Sequence, residues 1–490
     1  MIALSRAALN LPAGVETPGY DLGAVAPGIV HIGLGGFHRA HMARYTHDLM
    51  EYDPCACRWG IVGAGLRASD TALLDALSVQ EGLYTLVERD GASETRTVIG
   101  SIVGTIDASA DSDALLEAIA RPATRIVSIT VSEAGYCLDG PTKLLALDHP
   151  AIRADLVRPR APRTLPGILV EGYRRRRDAG ARAFTTLSCD NIAHNGRIVR
   201  AAVLAFAEAS EPELAAWIAE AARFPNAMVD RITPVPTQAE IAALAAKTGV
   251  DDRAAVFAEA FRQWIIEDDF ADGRPDWDHV GARFVSDVAP YEAMKLRLLN
   301  ASHLAIAELG TLGGYKTVCE TIADPLIRRY MIRLMDAETG PTLGPVPGIV
   351  LPRYKATLIE RFANPAIRDT NQRINVDAPL NLLLDPLRDR LGASRSIDLL
   401  SLGLAAWCKR VLDAAKAGRG EQSGRDAEKL QGTLDLAGGD DPVAMLSNEA
   451  VFGSLGQDPR LRAAVRFWLI SLEECGVAGT LAQAAAKGLL

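Results

Sequence analysis

No run of 18 uninterrupted apolar residues occurs in the 490-residue chain. A membrane-spanning helix needs about that length, so no membrane partner is expected. Cysteine is scarce and odd in number: Cys55, Cys57, Cys137, Cys189, Cys319, Cys408 and Cys475. Seven thiols spread this thinly exclude a disulfide framework and fit a reducing compartment. The opening stretch MIALSRAALNLPAG is broken by Arg6 and Asn10. It lacks the continuous apolar core of a signal peptide, so the expected location is the cytoplasm. Positive charge is in deficit, with 52 Lys+Arg against 61 Asp+Glu and a net charge of −9. Nucleic acid is a poor partner for such a chain, because phosphates need a clustered basic surface. The one basic run, Arg174-Arg175-Arg176-Arg177, is followed at once by Asp178 and reads as a solvated helix face. A P-loop is missing too: Gly314-Tyr315-Lys316-Thr317 misses the G-x-x-x-x-G-K-[ST] pattern.

What is present describes an ordinary globular protein, 49% hydrophobic and 23% charged, long enough for two or three domains. Short apolar runs alternate with helical patterns through the first 200 residues. The expected strands are Ile29–Ile32, Trp59–Val62, Leu83–Val87, Ile126–Thr130 and Phe184–Leu187. Helices are expected over Ala40–Met50, Ser69–Leu77 and Ser112–Ile119. Such alternation implies βαβ units and a mostly parallel sheet, and ETRTVIGSIVGTIDA reads as extra strands inserted in that domain. After about residue 285 the pattern turns helical, with one long helix from Tyr291 to Leu309. Later helices start near Asp, a good N-cap: DPLIRRYMIRLMDAE, DLLSLGLAAWCKRVLDAAKA and DPRLRAAVRFWLISLEECG. AGRGEQSGRDAEKLQG reads as a surface loop, and GPTLGPVPGIVLPRY as a Pro/Gly-rich connection. The expected architecture is α/β: a Rossmann-like N-terminal domain with an extended sheet over 1–286, then a mostly α-helical C-terminal domain over 287–490. A cleft between domains is a usual place for a ligand.

The first strand runs into Gly33-Leu34-Gly35-Gly36-Phe37-His38. A strand, a glycine turn and a helix start suit a phosphate, because free backbone N–H groups and the helix dipole face it. The generic dinucleotide fingerprint, G-x-G-x-x-G, wants a third glycine where His38 stands. His38 implies either a wider helix–strand approach or a side chain turned toward the ligand; a plain strand-to-helix turn is the alternative. At the end of the second strand, Asp70 suits the ribose hydroxyls of NAD, while Arg67 nearby suits the 2′-phosphate of NADP. Asp70 is equally suited to cap the helix that follows.

Three polar clusters interrupt apolar surroundings. In YEAMKLRLLNASHLAIAELG, Lys295, Asn300 and His303 fall within an arc of about 140° at about 100° per residue. They either share one cleft-facing side or are scattered polar positions, with Lys295 and Arg297 simply solvated. In FTTLSCDNIAHNG, Asp190 and Asn191 come where a buried strand ends, the usual ligand position of an α/β sheet; a strand-terminating turn explains them as well. In FPNAMVDRITP, Asp230-Arg231 sits between apolar residues, as a ligand group or a local ion pair.

Taken together, GLGGFHRAH, ITVSEAGYC, LSCDN, NAMVDRITP, QWIIEDDFADGRPDW, YEAMKLRLLNASH and VPGIVLPRYKATLIERFANPAIRDT occur in this order. With them the chain resembles the long-chain mannitol dehydrogenase family over nearly its whole length. That family includes mannitol 2-dehydrogenases, arabinitol dehydrogenases and hexuronate (fructuronate) reductases. The resemblance implies an NAD-dependent, metal-independent oxidoreductase with a small polyol or ketose substrate, acting as a monomer or weak homo-oligomer. It implies Lys295 as general base, Asn300 and Asn191 as holders of the reactive oxygen, and His303 as a substrate-positioning group. Asp230 and Arg373 become candidate substrate ligands. In the turn, Gly33, Gly35 and Gly36 bring the backbone to the pyrophosphate, with Phe37, His38 and Asp70 also facing cofactor. The implied chemistry is coherent. Oxidising a secondary alcohol removes a proton and a hydride, and two amide donors at the oxygen act as an oxyanion hole. A lysine becomes a useful base once desolvation or a neighbouring positive charge lowers its pKa. Zinc, the rival means of activating an alcohol, finds no usual ligand spacing among His38, His41, His47, Cys55 and Cys57.

One departure concerns the substrate segment. Mannitol-type members usually carry S-D-G-S-x-K after an arginine, whereas this chain reads Arg373-Ile-Asn-Val-Asp-Ala-Pro-Leu-Asn381. Arg373 and Asp377 remain and the basic position is Asn381. A polyol offers only hydroxyls; a uronate needs a cation. This departure favours neither substrate, but NAMVDRITPVP and TLGPVPGIVLPRY look more like the mannitol members, so the resemblance implies D-mannitol to D-fructose with NAD, NADP remaining open, ahead of fructuronate to mannonate reduction or arabinitol oxidation. A non-catalytic dinucleotide sensor is the reading from another class; it would have no need of Lys295, Asn191, Asn300 and His303 together.

Overall fold

A computed structural model describes residues 2–12, 14–140, 142–417, 433, 436 and 441–490. The expected surface loop over 417–432 lies, beyond Ala417, outside the described residues. The chain divides into two compact units, Met1–Ala289 and Pro290–Leu490.

The first unit is built on five parallel strands. These are β1 (Pro27–Ile32), β2 (Gly60–Gly65), β3 (Ile102–Asp107), β4 (Ile126–Ile129) and β5 (Thr185–Ser188), in the spatial order β3-β2-β1-β4-β5. That is the first five places of the dinucleotide-binding order. Both faces of the sheet are covered, so the strands read as near-continuous apolar runs rather than alternating ones. Val30 and Ile32 pack with Val127, Ile129 and the helix residues Leu115 and Ile168. Ile29 belongs to the other core, with Ile61, Ile126 and Leu187.

Two expectations need correction. The run Leu83–Val87 falls in a strand, Tyr84–Asp90, that is not part of this sheet. It pairs antiparallel with Ser93–Ile99 and parallel with Val256–Glu259. A short apolar run cannot reveal its partner, and here one partner lies some 170 positions away in sequence. The arginine run is likewise not a solvated face. Arg174 and Arg176 are each 1% exposed. Arg174 pairs with Glu171 and Glu211. Arg176 donates to the carbonyls of Arg182 at 2.9 Å and Thr124 at 2.7 Å. At about 100° per residue Arg174 and Arg176 point to nearly opposite sides of the helix, and each is covered by its own partners, while Arg175 and Arg177 stay partly exposed.

A smaller sheet in the same unit places Ala227–Asp230 antiparallel to Gln263–Glu267, which pairs in parallel with Arg283–Val285. After β1 come two short helices, α1 (Gly36–Ala40) and α2 (Met42–Tyr52), separated by His41 at φ −117°, ψ −92°.

The second unit is helical. Its site-bearing helices are α3 (Ala301–Leu312), α4 (Leu351–Phe362), α5 (Asn371–Asp377) and α6 (Asp398–Lys416). Asp324 and Asp458 cap two further helices through side-chain bonds to backbone N–H groups. The Pro/Gly-rich connection is ordered: Tyr291 donates to the Pro347 carbonyl at 2.7 Å, and α4 starts at Leu351. Glu308 of α3 and Arg410 of α6 form a buried ion pair with one contact at 3.0 Å. No helix among the described residues is long and apolar enough to cross a membrane.

Candidate active site

In the first unit the glycine turn has two distinct kinds of glycine. Gly33 has φ +97°, and a Cβ there would lie 2.1 Å from the Thr130 carbonyl oxygen. Its backbone requires glycine for the fold itself. A Cβ on Gly35 would meet only the Gly33 oxygen at 3.9 Å, and Gly36 has ordinary contacts at 3.7 and 3.8 Å. The space before Gly35 is open, as a cradle for a pyrophosphate requires. The first N–H groups of α1 follow directly. Phe37 is half-buried and stacks on His41 at 4.9 Å.

His38 does not match the expected cofactor-facing side chain. It is 1% exposed and stacks on His31 with ring centroids 3.4 Å apart. The ring fills the helix–strand interface that a third glycine would close, so the wider approach is the arrangement adopted. Behind the turn lies a polar cluster that apolar pattern reading passes over. His31 reaches Ser128 Oγ at 2.8 Å, Thr130 Oγ1 at 2.9 Å and the Gly33 carbonyl at 3.1 Å. Thr130 donates to the same carbonyl at 2.7 Å. Burial pushes the imidazole of His31 down to about 3, and that of His41 also to about 3. His41 is tied to the Gln263 carbonyl at 3.0 Å, and His47 to Tyr20 at 2.9 Å. The histidines weighed as zinc ligands are thus packed or bonded separately.

Asp70 is not the side-chain cap of the helix Thr71–Val79. It accepts from the Arg67 backbone at 3.2 Å and pairs with the Arg67 guanidinium at 2.9 Å. The two groups expected to pull cofactor choice in opposite directions bind each other in this turn. At the end of β5, Asp190 is buried and accepts from Ser132 N–H at 2.8 Å and Tyr136 hydroxyl at 2.6 Å. Burial pushes its carboxyl up. These bonds fix the turn on which Asn191 stands exposed. Asp230 ends its strand 4% exposed, opposite Gln263. Arg231 pairs with Glu88 and donates to the Glu259 carbonyl at 2.7 Å.

In the second unit, the long helix expected over Tyr291–Leu309 is not α-helical throughout. An α-helix, Ala289–Met294, passes into a π-helical turn at Lys295–Asn300 and then into α3. The N–H of Ala301 donates to the Leu296 carbonyl, five residues back. This changes the geometry of the motif. In an α-helix Lys295 and Asn300 would stand about 140° apart. A π turn bonds i→i+5 and holds more residues per turn, which narrows the angle between Lys295 and Asn300; such insertions recur at functional sites. Lys295 is 8% exposed, not solvated, and Arg297 pairs with Asp389 at 2.7 Å.

Farther along, His303 of α3 packs against the Phe362 ring at 5.1 Å. Its Nε2 lies 3.5 Å from Asp369 Oδ2. Asp369 also accepts both arms of the Arg373 guanidinium, at 2.7 and 2.6 Å. Arg373 is therefore no isolated surface residue. Asp369 joins it to the lysine–asparagine–histidine helix, and sequence reading missed this acid. Asp369 precedes the Thr370 cap of α5 and so lies outside the helix, where helical spacing gives no signal. Asn381 stands exposed at the start of its helix.

Five parallel strands in this order, with a glycine turn after the first, define a Rossmann-type α/β protein. Known proteins narrow this. The mannitol dehydrogenase Rossmann domain matches residues 27–279 and the mannitol dehydrogenase C-terminal domain matches 287–471. The chain is 45% identical to the D-mannonate oxidoreductase of Escherichia coli (strain K12) over 405 residues, 82% of each chain. It is 41% identical to the polyol:NADP oxidoreductase of Gluconobacter oxydans (strain 621H) over 423 residues, 85% of each. Among solved structures, the Pseudomonas fluorescens mannitol 2-dehydrogenase ternary complex with NAD and D-mannitol superposes with a TM-score of 0.87 at 39% identity. That match covers 99% of this chain and all of the other. The chain belongs to the mannitol dehydrogenase family of oxidoreductases.

Proposed function

We propose that this protein interconverts D-mannitol and D-fructose by a metal-independent reaction with NAD, Lys295 serving as the general base. The observation that carries the reading is the π turn at Lys295–Asn300, which holds a buried lysine and Asn300 within one turn of the same helix. In oxidation Lys295 Nζ takes the proton of the substrate hydroxyl; in reduction it returns that proton to the ketone oxygen. The amide N–H groups of Asn300 and Asn191 donate to the oxygen as its charge develops. His303, held between Phe362 and Asp369, orients neighbouring hydroxyls. Gly35, Gly36 and Phe37 hold the cofactor, and Asp70 with Arg67 meets its ribose. The nicotinamide supplies the hydride acceptor, or donor in reverse. Asp230 and Arg373 complete the substrate ligands. Seven free thiols support a reducing, cytoplasmic setting.

A second reading, reduction of fructuronate to mannonate, draws support from the 45% identity to a D-mannonate oxidoreductase. The pairing of Arg373 favours the neutral polyol, because its guanidinium fork is already filled by Asp369. Lys295→Ala tests the base. The loss of kcat is expected to be about 10²–10⁴-fold, with NADH still bound, as read by protein fluorescence. Turnover within a few-fold of wild type would remove Lys295 from the mechanism.

A further inference from the structure

We propose that Asp369 is a specificity-determining residue that tunes this site against anionic substrates by neutralising Arg373. The inference rests on the reading above, in which the helix bearing Lys295, Asn300 and His303 carries the chemistry.

Arg373 is the cation joined through a single carboxylate to the His303 ring. A guanidinium presents a planar fork matched to one carboxylate. Here that fork is occupied: Nε and Nη2 donate to the two oxygens of Asp369 at 2.7 and 2.6 Å. Its remaining arm, Nη1, reaches Asp377 at 3.4 Å. Two carboxylates thus face one guanidinium. An incoming substrate carboxylate finds the Nε/Nη2 edge already taken, must compete with Asp377 on the Nη1 side, and faces two carboxylates around one guanidinium. Sugar hydroxyls carry no such penalty, since a paired carboxylate still accepts their hydrogen bonds.

Asp369 is also fixed in place. It is 5% exposed, whereas Asp377 is 61% exposed. The Asp369 carbonyl accepts from Val318 N–H at 3.0 Å, and Asn371 N–H donates to the Lys316 carbonyl at 3.1 Å. Asn371 Nδ2 donates to the Tyr315 carbonyl at 3.0 Å and to Thr321 Oγ1 at 2.9 Å. Asn375 of α5 donates to Thr311 of α3 at 2.8 Å. These bonds hold the acid against the helix that carries His303, where it contacts that ring and the arginine at once. A surface counter-ion would need none of this anchoring.

The test is the ratio of kcat/KM for D-fructuronate to kcat/KM for D-fructose, both with NADH. Asp369→Asn removes the charge and leaves the shape, so the Arg373 fork becomes available to a carboxylate. The ratio is expected to rise by about tenfold or more, the effect of one charge-assisted pair. Asp369→Glu keeps the charge and should restore the wild-type ratio. A role confined to holding the loop would lower both rates together and leave the ratio unchanged, which overturns the proposal. Should Asp369→Asn fail to fold, Asp377→Asn decides. It lies on the surface and should raise the ratio in the same direction, by about two- to fivefold at low salt; no rise overturns the proposal. Wild-type inactivity on both sugars would instead contradict the proposed function, so the two failures are distinguishable.

Discussion

At the scale of single residues, the glycine turn separates what the fold needs from what a ligand needs. Gly33→Ala forces a Cβ to within 2.1 Å of a backbone oxygen at φ +97°. It should cost about 2–4 kcal/mol or prevent folding. Gly35→Ala introduces no contact closer than 3.9 Å, and the backbone there, φ −89° and ψ −175°, is open to alanine. Its thermal stability should stay within about 0.5 kcal/mol of wild type, while NADH binding weakens at least about tenfold. Thermal melts and a fluorescence titration on the two variants check the contrast. Equal stability losses would mean that Gly35 is structural. The sequence pattern marks both glycines but cannot rank them, because the Thr130 carbonyl that collides with a Gly33 side chain comes from the end of another strand.

At the scale of elements, the histidine-bearing β1, α1 and α2 are packed around neutral imidazoles. His38 has no hydrogen-bond partner on either ring nitrogen, and burial pushes it well below its ordinary value. A histidine whose folded pKa is lowered resists protonation only while folded. As pH falls below about 6.5 the unfolded chain takes up the proton, so stability is lost by about 1.4 kcal/mol per pH unit for each such group. His38→Phe keeps a ring against His31 and removes that uptake. The stability difference between pH 7.5 and pH 5.0, from urea unfolding, should shrink by about 2 kcal/mol in the variant. An unchanged difference would mean that His38 is protonated equally in both states. The strands themselves were legible: Ile29–Ile32 and Ile126–Thr130 read as buried because both their faces are covered. The π turn was not legible. Nothing in KLRLLN distinguishes a π insertion from continuous α-helix, since the two differ in backbone bonding and not in side-chain preference. Nor was the burial of Arg174 and Arg176 legible, because Glu211 and the carbonyls of Thr124 and Arg182 come from other segments.

At the scale of the whole molecule, a Rossmann-type unit and a helical unit each carry part of the candidate chemistry. The first holds the glycine turn, Asn191 and Asp230; the second holds Lys295, Asn300, His303 and Arg373. The ordered motifs marked these residues from sequence, since each motif is local. What joins them in the second unit was not marked, because Asp369 lies far in sequence from His303. Family membership sets the reaction class, and charge around Arg373 argues for the neutral substrate. A substrate panel followed at 340 nm separates the mannitol reaction from its rivals. D-mannitol and D-arabinitol are offered with NAD and with NADP, and D-fructose and D-fructuronate with NADH. The D-mannitol and D-fructose pair with NAD is expected to show the highest kcat/KM. Inert mannitol beside rapid turnover of fructuronate would contradict that expectation.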